Sequence, residues 1–446
     1  MKKKLLIALL PVLCYKVSAF DLAFAYQEAL TYNADYLKTI ASNDAGQEQK
    51  NIAMAKLLPQ INATGTLSEN YFNQSGNYAL YNQGLVSASL TQVVFDFSKF
   101  SSYSKGKYAG MVTELQLENA KQQLLVTVSQ AYFDVLYAKD TLTAIQKTKE
   151  ALEKQMNQAK RAFEVGSVTI ADVNDAQAGY DSSAAQEIQA TNELINKKNI
   201  FRNLTGLDPE KIQPIKDSIN LESPKPANAD SWSVMAESGN LNVRVADKQV
   251  AMADEDVNIA ISGHLPTVNV VGNYQYQGTG NLDSSTLNTS NDGSNVPGTP
   301  LSSYSVGGVG AQLNVPVYQG GGVNAQVRQA RANLVAAKQQ MVSVERQTDQ
   351  NTRNTFWQVQ NGVSIVKAQQ TALKSAKTKL DSDQLGYQVG VRNSVDLVNS
   401  QKNYYQTFQT YQQSRYQYLM ARVQLRYLSG SINPDFVKQI NQNIKN

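Results

Sequence analysis

Two long stretches of this 446-residue chain contain no proline, one from Gln60 to Asp208 and one from Val317 to Asn433. Proline breaks helix interiors, so its absence leaves room for very long helices. From Phe97 to Phe163 a helical pattern fills about 65 residues, roughly 100 Å at 1.5 Å per residue. It ends in Ala162-Phe163-Glu164-Val165-Gly166-Ser167-Val168-Thr169-Ile170-Ala171-Asp172-Val173. The second stretch carries a partner, Leu385-Gly386-Tyr387-Gln388-Val389-Gly390-Val391-Arg392-Asn393-Ser394-Val395-Asp396-Leu397. Phe163, Val165, Gly166, Asp172 and Val173 match Tyr387, Val389, Gly390, Asp396 and Leu397 at a constant offset of 224. Each copy lies between helical patterns and reads as the tip of a helical hairpin. Gly166 and Gly390 end one helix in the left-handed conformation. Thr169 and Asn393 cap the next, with Asp172 and Asp396 three residues on, where a carboxylate reaches back to free N–H groups.

Before each long helix the period changes to two. Ile61, Ala63, Gly65 and Leu67 alternate with Asn62, Thr64, Thr66 and Ser68, and Val86, Ala88 and Leu90 alternate with Ser87, Ser89 and Thr91. The stretch between, with Gly76 and Gly84, reads as a polar connection. Val268, Val270, Gly272 and Tyr274 form a third alternating run, and Val309, Ala311, Leu313 and Val315 a fourth. These are four strands with one apolar and one polar face. Tyr71, Phe72, Tyr78, Tyr81, Phe95 and Phe97 lie near strand ends, where aromatic residues suit a membrane–water boundary. Residues 278 to 303 read as an exposed loop, and Gly320-Gly321-Gly322 frees the backbone to swing into the last long helix.

Helices are expected from Asp21 to Leu57 and from about Ser231 to Gly263. In the return helix Val173, Tyr180, Leu194 and Phe201 keep a seven-residue spacing that Glu187 interrupts. In the last helix Leu397, Tyr404, Tyr411, Tyr418 and Leu425 keep it strictly, which is a coiled-coil seam. Gly206 and Gly430 end these helices, again 224 residues apart. The chain therefore divides into a leader, 1–19, a first repeat, 20–229, and a second repeat, 230–446.

The leader carries Lys2, Lys3 and Lys4, an apolar core Leu5–Leu13 and Val17-Ser18-Ala19 before a cleavage point at Phe20, the pattern of a secretory signal. Cys14, the one cysteine, lies within it, so the processed chain is expected to have no disulfide. The formal charge of +4 comes from Lys2, Lys3, Lys4 and Lys16; the other 37 Lys and Arg balance 37 Asp and Glu. Nothing in this balance points to nucleic acid. Beyond the leader no apolar run is long enough for a transmembrane helix, so entry into a membrane must use strands.

Four strands cannot close a barrel, and open edges are not tolerated in lipid. Several chains must share one barrel. Two would give eight strands and a filled interior, three would give twelve and room for a passage. The expected fold is a mixed α and β membrane protein, four strands per chain, continued by a long helical barrel.

The sequence resembles the TolC family of outer-membrane channel proteins over nearly all of the processed chain. The resemblance rests on His264-Leu265-Pro266-Thr267, Val315-Pro316-Val317-Tyr318-Gln319-Gly320-Gly321, Ala131-Tyr132-Phe133-Asp134-Val135-Leu136 and the two tips. It implies an outer-membrane homotrimer with a twelve-stranded β-barrel and a periplasmic helical tunnel. It implies docking to a periplasmic adaptor (a membrane fusion protein) and to an inner-membrane efflux pump or ABC transporter. Small-molecule efflux and type I protein secretion both fit. In that family acidic side chains ring the narrow periplasmic end; Asp396 matches one ring, and Asn399 stands where the family has a second acid. Asp396 and Asn399, three apart, share a helix face. The resemblance also implies closed-state links among the positions of Asp172, Tyr387 and Arg392, with Ala171 where the family has a threonine that joins them.

No metal-ligand cluster, nucleophile–base arrangement or phosphate loop is legible. The expectation is therefore no enzyme activity and no cofactor, with His264 serving the strand entry. Arg415, well up the last helix, is expected to be neutral for a gate at the tips. Two other readings remain open at this stage: a non-conducting structural coiled-coil protein of the envelope, and a periplasmic adaptor.

Overall fold

The computed structural model describes residues 19–74, 77–216, 218–280, 303–432 and 434–442. The signal segment up to Ser18 and most of the loop expected over 278–303 lie outside the described residues. The chain forms two compact units. One comprises the residues up to Ala41, Leu115–Arg244 and Ser343–Asn446; the other comprises Ser42–Glu114 and Val245–Val342. Each sequence repeat contributes to both.

The second unit holds the strands β1 (Gln60–Gln74), β2 (Asn77–Phe95), β3 (Thr267–Gly280) and β4 (Tyr304–Asn314). They pair antiparallel in the order β1-β2-β3-β4, which leaves β1 and β4 as edges. The register places Ile61 opposite Leu90, Ala63 opposite Ala88 and Gly65 opposite Val86. It continues with Leu90 opposite Gly272 and Gly272 opposite Val309. The apolar alternation of all four strands thus falls on one face of one sheet. Leu67 and Val309 on that face are more than four-fifths exposed in a single chain, with Ile61 and Leu313 close behind. The other face is polar: Thr64 and Ser87 share a hydrogen bond of 2.7 Å, and Asn70 Nδ2 donates to Gln83 Oε1 at 3.1 Å. The first two strands are longer than the alternating runs Ile61–Ser68 and Val86–Thr91. The ladder runs on to Gln74 and from Asn77, with Gly84 inside β2 opposite Leu67. Backbone pairing continues where the side chains stop alternating in polarity, so the alternation marks the apolar band and not the strand ends.

Beside the sheet lie the lower part of α2 (Ala34–Ala55), the start of α3 (Phe97–Glu164), most of α6 (Leu241–Ser262) and the start of α7 (Gly322–Gln388). Small residues let these helices approach closely: a Cβ on Gly106 would stand 3.0 Å from Gln49 O. Lys105 Nζ sits 2.6 Å from Asp256 Oδ1. Gly320 and Gly321 have φ of 60° and 80° just before α7 begins, as the glycine run leads one to expect. Among the described residues no helix is long and apolar enough to cross a membrane.

The first unit contains α1 (Leu22–Tyr32), α4 (Ile170–Thr205), α5 (Ala229–Gly239), α8 (Ser394–Leu428), α9 (Pro434–Asn441) and most of α3 and α7. α3 has 68 residues and α7 has 67, and each forms a hairpin with its return helix. The helices expected over 21–57 and 231–263 are each broken in two. Asn33 accepts from Tyr36 N at 2.9 Å, and Asn240 accepts from Asn242 N at 2.9 Å. Both side chains stop one helix and cap the next, a local competition with the backbone that hydrophobic periodicity does not register.

The core of this unit gathers Phe20, Tyr132, Phe133, Phe201, Trp232, Tyr418 and Leu419, all nearly or fully buried. The buried aromatics find polar partners. Tyr132 Oη donates to Gln213 O at 2.6 Å, and Trp232 Nε1 to Pro226 O at 2.8 Å. Tyr418 Oη accepts from Glu222 N and donates to Glu222 O. The seam of α8 is buried at Tyr411, Tyr418 and Leu425, and that of α4 at Val173, Leu194 and Phe201. Glu187, which interrupts the α4 seam, turns to α3 instead: Lys149 Nζ lies 2.6 Å from its carboxylate and Gln146 Nε2 3.1 Å.

The hairpin tips as a candidate gate

At the first tip Gly166 has φ of 72°, its N–H bonds to Phe163 O at 2.9 Å, and Ser167 N bonds to Ala162 O at 2.9 Å. This satisfies the free carbonyls at the end of α3. Thr169 then caps α4. Its hydroxyl accepts from Asp172 N at 3.3 Å, and Asp172 Oδ2 accepts from Thr169 N and Oγ1, each at 2.8 Å. These hydrogen bonds hold the Asp172 carboxyl below the usual range, so it is charged at neutral pH. The cap and the carboxylate's reach back to the Thr169 N–H are as the spacing of Thr169 and Asp172 implies; the bond from the Thr169 hydroxyl to the carboxylate is an addition.

The second tip has the same turn, with φ of 81° at Gly390 and Val391 N bonded to Gly386 O at 2.9 Å. Asn393 accepts from Asp396 N at 2.7 Å. Here the resemblance between the tips ends. The Asp396 carboxylate does not reach back to the cap as sequence analysis expects; its Oδ2 lies 3.9 Å from Arg392 Nη1. Arg392 Nε lies 3.5 Å from Asp383 Oδ1.

The five residues singled out from sequence are therefore placed as follows. Arg392 and Asp396 meet within one chain. Asp172 stands on the other tip, and among the described residues no ion pair joins it to Arg392 within the chain. Tyr387 is half-buried in the last turn of α7, and Asn399 is exposed one turn beyond Asp396. Sequence reasoning missed Asp383, Lys379 and Ser400, which meet beneath the second tip. It also gave no sign that Arg415 belongs to the core. That guanidinium is 3% exposed, donates to Gln412 Oε1 and to Lys216 O, and lies over the Tyr411 ring. It is far from the tips but is part of the core, so it is no neutral comparison.

Above the tips, α3, α4, α7 and α8 line a groove of about 960 Å³ whose walls include Gln130, Asp134, Asn354, Gln358, Asn361 and Gln424. The same walls carry Phe133, Tyr137, Trp357, Ile365 and Met420, so the lining is mixed. Among the described residues no three His, Cys, Asp or Glu side chains converge on a point where a metal could sit.

The sequence matches the profile described as outer membrane efflux protein over residues 25–207 and 232–431. The chain belongs to the outer membrane efflux protein family. It is similar to outer membrane protein TolC of Escherichia coli K12, 33% identical over 430 residues, which are 95% of this chain and 85% of that protein. It is similar at 26% identity over 428 residues to the alkaline protease secretion protein AprF of Pseudomonas aeruginosa, covering 93% of this chain and 85% of that one. Among solved structures, the CmeC outer membrane channel of Campylobacter jejuni superposes with a TM-score of 0.76 at 17% identity, over 95% of this chain and 90% of that one. The fold is that of these outer-membrane channels, and the chain is an efflux or secretion channel protein of the outer membrane. The alternatives of a structural coiled coil and of an adaptor are set aside by the same matches.

Proposed function

We propose that the chain works as a homotrimer and a passive export duct. Three copies close one twelve-stranded barrel in the outer-membrane lipid, their long helices form the periplasmic tunnel, and the hairpin tips form its gate. A periplasmic adaptor and an inner-membrane efflux pump or ABC transporter supply the energy, and the chain itself carries no chemistry and binds no nucleic acid. The observation that carries this reading is the open four-stranded sheet, polar on one face and apolar on the other, with the outer edges of β1 and β4 unpaired among the described residues. Unpaired edges in hydrocarbon cost several kcal/mol per group, and closure removes them. The family's description as efflux proteins supports efflux, and the likeness to AprF, a protease secretion protein, supports secretion of proteins. Native mass measurement in detergent is expected to give the trimer; a monomer or dimer would overturn the shared barrel.

Within this reading Asp396 forms the acidic ring of the gate, with Asn399 beside it on the same helix face. Three like charges around a narrow axis attract counter-ions. Asp396→Ala is expected to reduce both cation selectivity and block by multivalent cations. Block of the parent channel is expected to be weak already, because Asn399 contributes no charge. Unchanged ion selectivity in Asp396→Ala channels would remove Asp396 from the gate.

A further inference from the structure

Asp383 is 5% exposed, yet it carries a carboxylate. Its two oxygens face different groups. Oδ2 takes Lys379 Nζ at 2.6 Å and the Ser400 hydroxyl, while Oδ1 lies 3.5 Å from Arg392 Nε. Lys379 and Ser400 hold the carboxyl below the usual range, so it is charged. Gly386 completes the arrangement. A Cβ there would come within 2.8 Å of Arg392 Cγ, so the arginine stem lies across a bare Cα. The Arg392 backbone is fixed as well, its N–H bonded to Gly386 O at 3.1 Å.

The first tip shows what the hairpin needs for packing alone. At the 224-residue offset Asp383, Gly386, Arg392 and Ser400 correspond to Ala159, Ala162, Val168 and Ala176. Ala176 is buried in its seam just as Ser400 is in the other. A buried carboxylate is costly unless it is paired, and alanine at the same place costs nothing. The polar cluster stands only on the tip that carries the arginine.

We propose that Asp383 is a positioning residue for the gate: it faces the Nε edge of Arg392, while Nη1 lies 3.9 Å from Asp396 of the same tip, and this placement leaves the exposed terminal amino groups to be shared with a carboxylate of a neighbouring hairpin. This rests on the gate reading above. A guanidinium fixed along one edge presents the other for two parallel hydrogen bonds, and less rotational freedom is lost when that contact forms.

Single-channel recording on the full-length protein tests the proposal. Asp383→Asn keeps the shape and removes the charge. It is expected to raise the open-to-closed ratio about threefold, the size of effect a partly wet charged contact carries. Added to Arg392→Ser it is expected to have no further effect, because the group it positions is gone. Gly386→Ala displaces the arginine stem without touching a charge and is expected to act in the same direction. Lys379→Met removes the shorter ion pair of the same carboxylate and is expected to move the gate less than Asp383→Asn. Lys377→Met, in the neighbouring exposed pair with Asp381, is expected to stay at the parent level. If Lys379→Met opens the channel as much as Asp383→Asn, or if Asp383→Asn adds fully to Arg392→Ser, the cluster only holds the hairpin together and the proposal is wrong. If Arg392→Ser opens the channel and Asp383→Asn does not, the gate stands and Asp383 has no part in it. If Arg392→Ser itself leaves the channel unchanged, the gate reading fails and the proposal with it.

Discussion

Channels carrying Tyr387→Phe together with Arg392→Ser are expected to conduct more than the parent and to let bulky antibiotics leak inward, with the trimer intact. The physical case starts at the caps. Asp172 uses Oδ2 for both of its bonds to Thr169, which leaves Oδ1 for a donor from outside its own helix. Arg392 is charged, more than half exposed at its side chain and held within its own tip by two longer contacts of 3.5 and 3.9 Å. Tyr387 can add a hydroxyl donor. An arginine and a carboxylate joined in this way at partly wet positions contribute about 1 kcal/mol, and threefold repetition makes that about 3 kcal/mol, close to a hundredfold in the closed-to-open ratio. Ala171 has no hydroxyl to add, so in the proposed gate the links would rest on Arg392 and Tyr387. Lys367→Ser, exposed on α7 away from the tips, is the comparison, and it is expected to conduct like the parent. A double variant that also conducts like the parent would mean that packing or other residues hold the tips.

The largest expected loss of stability comes from Arg415→Ser. The guanidinium joins α8 to the connector through Lys216 O and supports Gln412, which with Tyr416 Oη hydrogen bonds to Asp140 Oδ2, each at 2.8 Å. Burial pushes the Asp140 carboxyl up, and Tyr416, Arg415 and Gln412 offset only part of that rise. Serine would leave the Lys216 carbonyl without its donor, Asp140 without a nearby positive charge and a space where the side chain packed on Tyr411. A loss of about 3 kcal/mol is expected, in the range seen when a buried charged network is broken. Heat-induced loss of helical circular dichroism checks it: melting is expected several degrees below the parent, and an unchanged midpoint would show that Arg415 is dispensable to the core. Because the tips are remote in sequence from Arg415, residual folded channels of this variant are expected to gate normally.

What could be read from the sequence was what short stretches decide by themselves. The turn at Gly166 or Gly390, the cap at Thr169 or Asn393 and the alternation from Ile61 to Leu67 each depend on a few adjacent residues, and all are found where they were expected. The missed features depend on a neighbour distant in sequence or on competition within a turn. Asn33 and Asn240 break their helices because a side chain wins a backbone N–H, which periodicity does not weigh. Nothing around Arg415 reveals that its partner is the carbonyl of Lys216, 199 residues earlier. Asp383 and Ser400 form no motif or period of their own in the sequence. The one available signal was comparison with the first tip, where alanine fills both positions.

Planar-bilayer recording of the purified, folded protein is the most direct measurement of whether the chain is an export channel. Discrete conductance steps that favour cations are expected, with Asp396→Ala channels less selective. Protein that is folded and inserted in the bilayer, yet passes no current under any applied voltage, would contradict a duct and leave only a structural role for its strands and hairpins.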